Sequence, residues 1–377
     1  MKVVYLDNAA TTPIDPEVIR VMQESMLSNF GNPSSIHQFG RKAKNGVENA
    51  RKNIAKVFNV SASEIIFTAG GTEADNLIMY NAVNNLEVKR IITSRVEHHA
   101  VLHTAEFLRE EYKISIEFVN VDDQGDLDLQ HLETLLASTK EKTLVSLMYI
   151  NNEIGNILPW MEIGTLCKEY GALFHSDTVQ AIGHYEIDLQ QVPVDFITAS
   201  AHKFHGPKGV GFAYFKKGFG IKPILHGGDQ EKGARSSTEN VHGILGMEKA
   251  LGLASQTLES DKAHMNTLKS YFMDKLLQLD GRIQFNGQSS NLEMSSCTIL
   301  NVRFPISNDM MLFSLDLQGI AVSGGSACQS GSNAGSHVLH EILNEEDEEC
   351  TSIRFSFSRN TTQEELDYTL DKIKGLL

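Results

Sequence analysis

Five short stretches carry side chains able to do chemistry. In "SAHKFHGPKG" (200–209), Lys203 follows an apolar run and stands between His202 and His205. A lysine at the end of a buried strand tends toward a lowered pKa and suits imine formation with a carbonyl, whereas in a polar turn it is an ordinary surface lysine. The HxxH spacing has no carboxylate or cysteine partners at ligand spacing, so no metal site is expected. In "ALFHSDTVQAIG", Asp177 closes a strand and Gln180 follows three residues later. A carboxylate at that end of an open α/β sheet faces the ligand side and can keep a ring nitrogen protonated; it can equally cap a following helix. "FTAGGTEADN" ends a β-rich run in two glycines, which makes Gly71 and Thr72 either a phosphate cradle at a helix start or a plain cap. In "RVEHHAVLHT", His98 offers a flat imidazole that can stack on a ligand ring, or a polar cap. His99 and His103 are i,i+4 neighbours, but no HExxH accompanies them. Finally, Cys328 sits in "SGGSACQSGSNAGSH" (323–337), a run with almost no side chain to bury.

The elements around these residues form a pattern. From about 60 to 215, β-rich runs ("EIIFTAGG", "RIITS", "ISIEFVNV", "TLVSLMYI", "ALFHSD", "FITAS", "GVGFAYF") alternate with amphipathic helical stretches. That alternation predicts an α/β fold with a mainly parallel central sheet covered on both faces. Residues 239–280 read as mostly helical. Beyond them "CTILNVRF", "DMMLFSLDLQG" and "SIRFSFS" suggest a smaller α+β domain, closed by a helix whose Thr362 and Glu365 form a capping box. The division expected is a large domain over 15–255 and a small domain from 1–14 and 256–377, the latter carrying the cysteine segment.

Composition bounds the function. The 377 residues are 41% hydrophobic and 21% charged, with a formal net charge of −15. A broad nucleic-acid surface does not fit that charge. No window is long and apolar enough for a transmembrane helix, and the start "MKVVYLDNAATTP" has no leader pattern, so no membrane association and a cytoplasmic location are expected. The four cysteines are far apart and form no CxxC pair, which argues against a disulfide scaffold or structural zinc. Neither GxxxxGK[ST] nor GxGxxG occurs; "GVGFAY" (209–214) ends in Tyr214.

Taken together, a phosphate cradle, an acid for a pyridine nitrogen, an aromatic plane and an imine-forming lysine are the parts that hold pyridoxal 5′-phosphate. At this point the chain resembles a known family. "YLDNAATTP", "FGNPSSIH", "GGTEADN", "EHHAV", "NNEIGNI", "HSDTVQ", "SAHKFHGPKG", "RSSTEN", "SGGSAC" and "SIRFSFSR" are similar to the motifs of NifS-like cysteine desulfurases, class V aminotransferases with the aspartate aminotransferase-like fold type I of pyridoxal-phosphate enzymes. The resemblance implies that Lys203 carries the cofactor as an imine, Asp177 pairs with its ring nitrogen, and Gln180 and Asn152 hydrogen-bond near its phenolic oxygen. It implies that His98 stacks on the ring and acts as an acid or base, and that Gly71, Thr72, Ser200 and His202 hold the phosphate. Thr238 would reach the phosphate of a second copy, hence a homodimer. Arg354, with Asn152, would bind the carboxylate of L-cysteine, and Cys328 would take the substrate sulfur as a persulfide, leaving L-alanine. A sulfur-acceptor protein, such as an iron–sulfur scaffold, would then receive it. One departure stands out: many members carry an acidic residue and a proline where this chain has Ala334 and Gly335, which leaves the acceptor's identity open. A plain aminotransferase would have no use for the thiol of Cys328.

Overall fold

The computed structural model describes residues 2–308, 310–324 and 335–377; Cys328 lies outside the described residues. The chain begins with β1 (Val4–Tyr5), α1 (Pro16–Ser28) and α2 (Gln38–Val57). Asp15 starts α1 by accepting the Glu17 N–H at 2.7 Å, and Pro16 occupies the first turn, where its missing N–H costs nothing. The expected alternation follows: β2 (Ile65–Thr68), α3 (Gly71–Asn84), β3 (Arg90–Ser94), α4 (His99–Tyr112), β4 (Ser115–Val119), α5 (Leu129–Ala137), β5 (Thr143–Ser146), α6 (Trp160–Glu169), β6 (Leu173–Asp177), β7 (Phe196–Ser200) and β8 (Gly211–Phe215).

These strands make a seven-stranded sheet in the order β2-β8-β7-β6-β5-β3-β4. All run one way except β8, which is antiparallel to both neighbours. Residues 201–210, between β7 and β8, are fewer than the dozen or so that a parallel crossover needs, so the chain folds back instead. Both faces are covered. Ile65 and Phe67 pack with α2, while Ile66 packs on the opposite side with α3 and α4. Alternate residues of one strand thus serve two cores, which is why the strands read as continuous apolar runs rather than as alternating ones.

The stretch expected to be mostly helical is a single helix, α7 (Val241–Leu279), of 39 residues. Its Met247, Ala250 and Leu251 belong to the core beneath the large sheet, and its Met265, Leu268, Phe272 and Leu276 belong to a separate core. That second core gathers β9 (Gln284–Phe285), β10 (Ile299–Arg303), α8 (Met311–Leu317), β11 (Ile320–Ala321), β12 (Ser352–Ser356) and α11 (Gln363–Lys374) around an antiparallel sheet β12-β10-β9, while α9 (His337–Ile342) packs in a small separate cluster with Val96 and Ile154, and α10 (Glu345–Glu348) buries no residue. The capping box predicted at Thr362 and Glu365 opens α11. β1 crosses over to this region and pairs in parallel with β11, Val4 opposite Ile320. Among the described residues no helix is long and apolar enough to cross a membrane.

Candidate active site

Because β2, β3, β5, β6 and β7 run in one direction, their carboxyl ends share one edge. A cavity of about 930 Å³ opens there. Gly71, Thr72, His98, Asn152, Asp177, Gln180, Ser200, His202, Lys203 and Arg354 all line it. Ten expected site residues, drawn from six separate sequence motifs, therefore meet in one place. Thr238 does not. It lines a smaller cavity of about 180 Å³ that shares Ala69 and Gly209 with the large one.

At one end of the cavity α3 begins without a side-chain cap, its N-cap position being Gly70. The plain-cap alternative for Thr72 does not hold, since Thr72 lies inside the helix. Glycine at 71 has a steric reason: a Cβ there would approach Val179 Cγ2 to 2.7 Å. The uncapped amide end of a 14-residue helix thus opens on the cavity together with Ser200, His202 and Lys208, donors of the kind that suit an anion. Burial first, then Lys203 and Lys208, push His202 down to about 4. Its imidazole is therefore neutral, with Nδ1 3.2 Å from Thr11 Oγ1.

At the floor, the Asp177 carboxylate accepts the Val179 N–H at 2.9 Å and the Thr198 hydroxyl at 3.4 Å. A turn follows, not the helix that the capping alternative required. Two further acids lie nearby. Burial, and next the charge of Asp177, hold Asp75 well above the usual carboxylate range. Glu97 is pushed up to about 8, mainly by burial, although it accepts the Met148 N–H at 2.9 Å. His175, driven down to about 3 by burial, stands 3.4 Å from Asp75 and has Nδ1 2.8 Å from Ser146 Oγ. With both partners driven neutral, the Asp75–His175 contact is an acid–imidazole approach and not an ion pair.

Lys203 follows β7 directly. Its Nζ donates to the carbonyls of Ala9 and Ala10 at 2.5 and 3.0 Å, and Gln180 Nε2 also donates to Ala9 at 3.0 Å. His98 stands at the start of α4. It caps α4, its Nδ1 accepting the Ala100 N–H at 3.1 Å, and it also lines the cavity. An accepting Nδ1 places the ring proton of the neutral form on Nε2. The i,i+4 pair His99 and His103 simply stack, 4.8 Å between centroids.

On the facing wall, Arg354 of β12 is 1% exposed. Its Nη1 donates to the Asn152 carbonyl at 2.8 Å and its Nη2 to Asp7 Oδ1 at 3.0 Å. The same Asp7 oxygen accepts the Ser323 hydroxyl at 2.7 Å. Asp7 lies within "YLDNAATTP" with no local signal of its role. Asp75 and His175 likewise carry no local signal, apart from the placement of His175 two residues before Asp177 on the same strand face.

The donor set fits pyridoxal 5′-phosphate. An uncapped helix start beside Ser200, His202 and Lys208 suits a phosphate, a carboxylate suits a ring nitrogen, and a lysine amine lines the same cavity. Comparison with known proteins gives the same direction. Residues 4–369 match the family model described as aminotransferase class-V. The chain belongs to the class-V aminotransferase family. A relative named cysteine desulfurase IscS, from Dictyoglomus turgidum, is 42% identical over 377 residues, spanning 99% of this chain and 94% of that protein. A solved structure titled NifS-like protein superposes with a TM-score of 0.91 at 37% identity, covering 100% of this chain and 99% of the other. Another, titled SspA in complex with cysteine, has a TM-score of 0.79 at 29% identity, covering 96% and 100%. Within this family the fold is the aspartate aminotransferase-like fold type I, the architecture expected from the sequence.

Proposed function

We propose that the chain is a cysteine desulfurase that converts L-cysteine to L-alanine and moves the sulfur first to Cys328 and then to an acceptor protein. The observation that carries this reading is the convergence of Lys203, Asp177, His98 and Arg354 on one cavity, in a chain whose relatives bear that name. Pyridoxal 5′-phosphate, when bound, supplies an electron sink that loosens the bonds at the substrate's Cα and Cβ. Gly71, Thr72, Ser200 and His202 would hold its phosphate, Asp177 its ring nitrogen, Gln180 and Asn152 the edge near its phenolic oxygen, and Lys203 its carbonyl carbon.

The chain's own residues then have distinct tasks. Arg354 binds the substrate carboxylate as a charge-assisted pair and so fixes which face of the amino acid meets Lys203. Lys203, once free of the cofactor, takes the Cα proton, and His98 offers its ring as a stacking plane and a second acid or base. The thiolate of Cys328 attacks the substrate sulfur. The S–S bond forms, the substrate C–S bond breaks, and its electron pair ends on the carbon that is protonated to the methyl of alanine. The resulting persulfide passes to an acceptor, with iron–sulfur cluster or thio-cofactor synthesis as the destination. Thr238, in the adjoining cavity, completes the phosphate site of a second copy in a homodimer. The division into 15–255 and 1–14 with 256–377 belongs to this reading and is supported by the separate core around α11. So does a cytoplasmic location, supported by the lack of a membrane-crossing helix among the described residues.

The test is to supply the protein with L-cysteine and a thiol reductant and to measure alanine and sulfide. Wild type should release both. Cys328→Ala should release almost no sulfide while its cofactor absorbance still responds to L-cysteine. Full turnover by Cys328→Ala overturns the assigned nucleophile. Lack of a cofactor band that Lys203→Ala abolishes overturns the whole reading.

A further inference from the structure

Arg354 is a buried guanidinium, and a buried charge is tolerated only when it is paired and hydrogen-bonded. Among the described residues Asp7 is the carboxylate within ion-pair range, at 3.0 Å. Asp7 itself is held firmly. Its backbone bridges Ser356, and its carbonyl accepts the Tyr5 hydroxyl, which also donates to Thr11. Two of the guanidinium nitrogens thus donate to protein acceptors: Nη1 to the Asn152 carbonyl and Nη2 to the Asp7 carboxylate. Two such anchors define the plane of the group. Five N–H donors less two leave capacity for a further carboxylate, and Arg354 Nε has no hydrogen-bond partner among the described residues. Ser323 closes the arrangement. Its hydroxyl donates to the same Asp7 oxygen, and its backbone exchanges hydrogen bonds with Arg354 at 2.7 and 3.3 Å.

We propose that Asp7 is a positioning residue of this site: it holds the Arg354 guanidinium in the plane that receives the α-carboxylate of the amino-acid substrate, and Ser323 holds Asp7. The inference rests on the reading that Arg354 binds that carboxylate. Asp7 does not touch the substrate. It acts through Arg354, so its loss weakens binding of the ground state and the transition state alike.

The test uses the cofactor-loaded enzyme and separates KM from kcat for L-cysteine, with L-alanine as a competing carboxylate. Asp7→Ala should raise KM about tenfold while kcat changes by less than about threefold, and the inhibition constant of L-alanine should rise by the same factor as KM. Asp7→Asn keeps an acceptor oxygen and should restore most of the loss, leaving KM about threefold high. Ser323→Ala, which removes only the tether on Asp7, should raise KM by about twofold to threefold and serves if Asp7→Ala does not fold. Arg354→Lys separates the two levels of argument. If it leaves KM unchanged, the carboxylate reading of Arg354 fails. If it raises KM while Asp7→Ala or Ser323→Ala does not, the clamp stands and the positioning role of Asp7 is overturned. A fall in kcat as large as the fall in kcat/KM for Asp7→Ala also overturns it.

Discussion

The two walls of the cavity are built on opposite principles. On the sheet side, Asp177, Ser200 and Lys203 stand on or just after adjacent parallel strands, β6 and β7, and inherit their positions from a continuous hydrogen-bonded lattice. The titratable groups around them are shifted mainly by burial: Asp75 and Glu97 upward, His175 and His202 downward. On the facing side, Arg354 stands in β12, while Asp7 and Ser323 follow the short paired strands β1 and β11; single bridges and one carboxylate oxygen tie the three together. There Arg354 and Asp7 meet as a salt bridge at 3.0 Å. The difference matches the tasks proposed for each wall. Groups that handle protons and the cofactor sit on a rigid edge that tunes them by desolvation. Groups that handle the substrate's charge keep a full ion pair and depend on a few hydrogen bonds for their aim.

The most severe way to break this contrast is Lys203→Ala. It removes the proton-handling group from the sheet wall, and activity should fall by about 10³-fold or more, with loss of the lysine-dependent cofactor absorbance. If turnover survives, the sheet wall is not where the chemistry occurs. Next comes Arg354→Ala, expected to raise KM for L-cysteine about 10²-fold with a smaller effect on kcat, as for removal of one member of a buried charge-assisted pair. A kcat defect without a KM change would erase the division of labour.

A third test sharpens the burial argument. The raised pKa of Glu97 means that the folded state holds a proton which the unfolded state has already released. Its contribution to stability is therefore present at low pH and is lost as pH rises from the unfolded value of 4.5 toward about 8. In Glu97→Gln that loss is absent. The variant's stability relative to wild type should grow across this window by up to about 1.4 kcal/mol per pH unit and level off above it, read from denaturant midpoints at stepped pH. A pH-independent difference would show that Glu97 stays ionised. The smallest effect lies outside both walls, at the start of α9. Ser336 caps α9 and donates to Glu153 at 2.5 Å. Ser336→Ala should cost about 1 kcal/mol of stability, seen as a lower melting temperature with KM unaltered.

Much of the sheet wall was legible in the sequence because its signals are local. A strand, a short turn and a reactive residue within ten positions suffice for Asp177, Lys203 and Gly71. The facing wall was legible only in part. Arg354 came from a motif resemblance, but its partner Asp7 lies 347 positions away, and no local periodicity links the two. Asp75 and His175 were missed for the same reason: each looks like an ordinary polar residue in a buried element until the strands are laid side by side. The reversed direction of β8 was also hidden, since an apolar run reads the same both ways; only the short 201–210 connection carried that information. The long helix was recognised as helical, but its membership of two cores depends on which faces meet which partners, and that is set by packing.

The path of the first residues has a consequence for how the protein is made. Val4 pairs with Ile320, and Asp7 with Ser323, 316 positions later. The carbonyls of Ala9 and Ala10, which hold Lys203, lie on that same early segment. During synthesis at about 5–20 residues per second, the leading segment must wait tens of seconds for the strand that seats it. Until β11 leaves the ribosome, Lys203 lacks its settled acceptors and Arg354 does not yet exist. Assembly of the reactive centre is thereby deferred until β11 and β12 have been made, well after the strands that carry Asp177 and lead to Lys203.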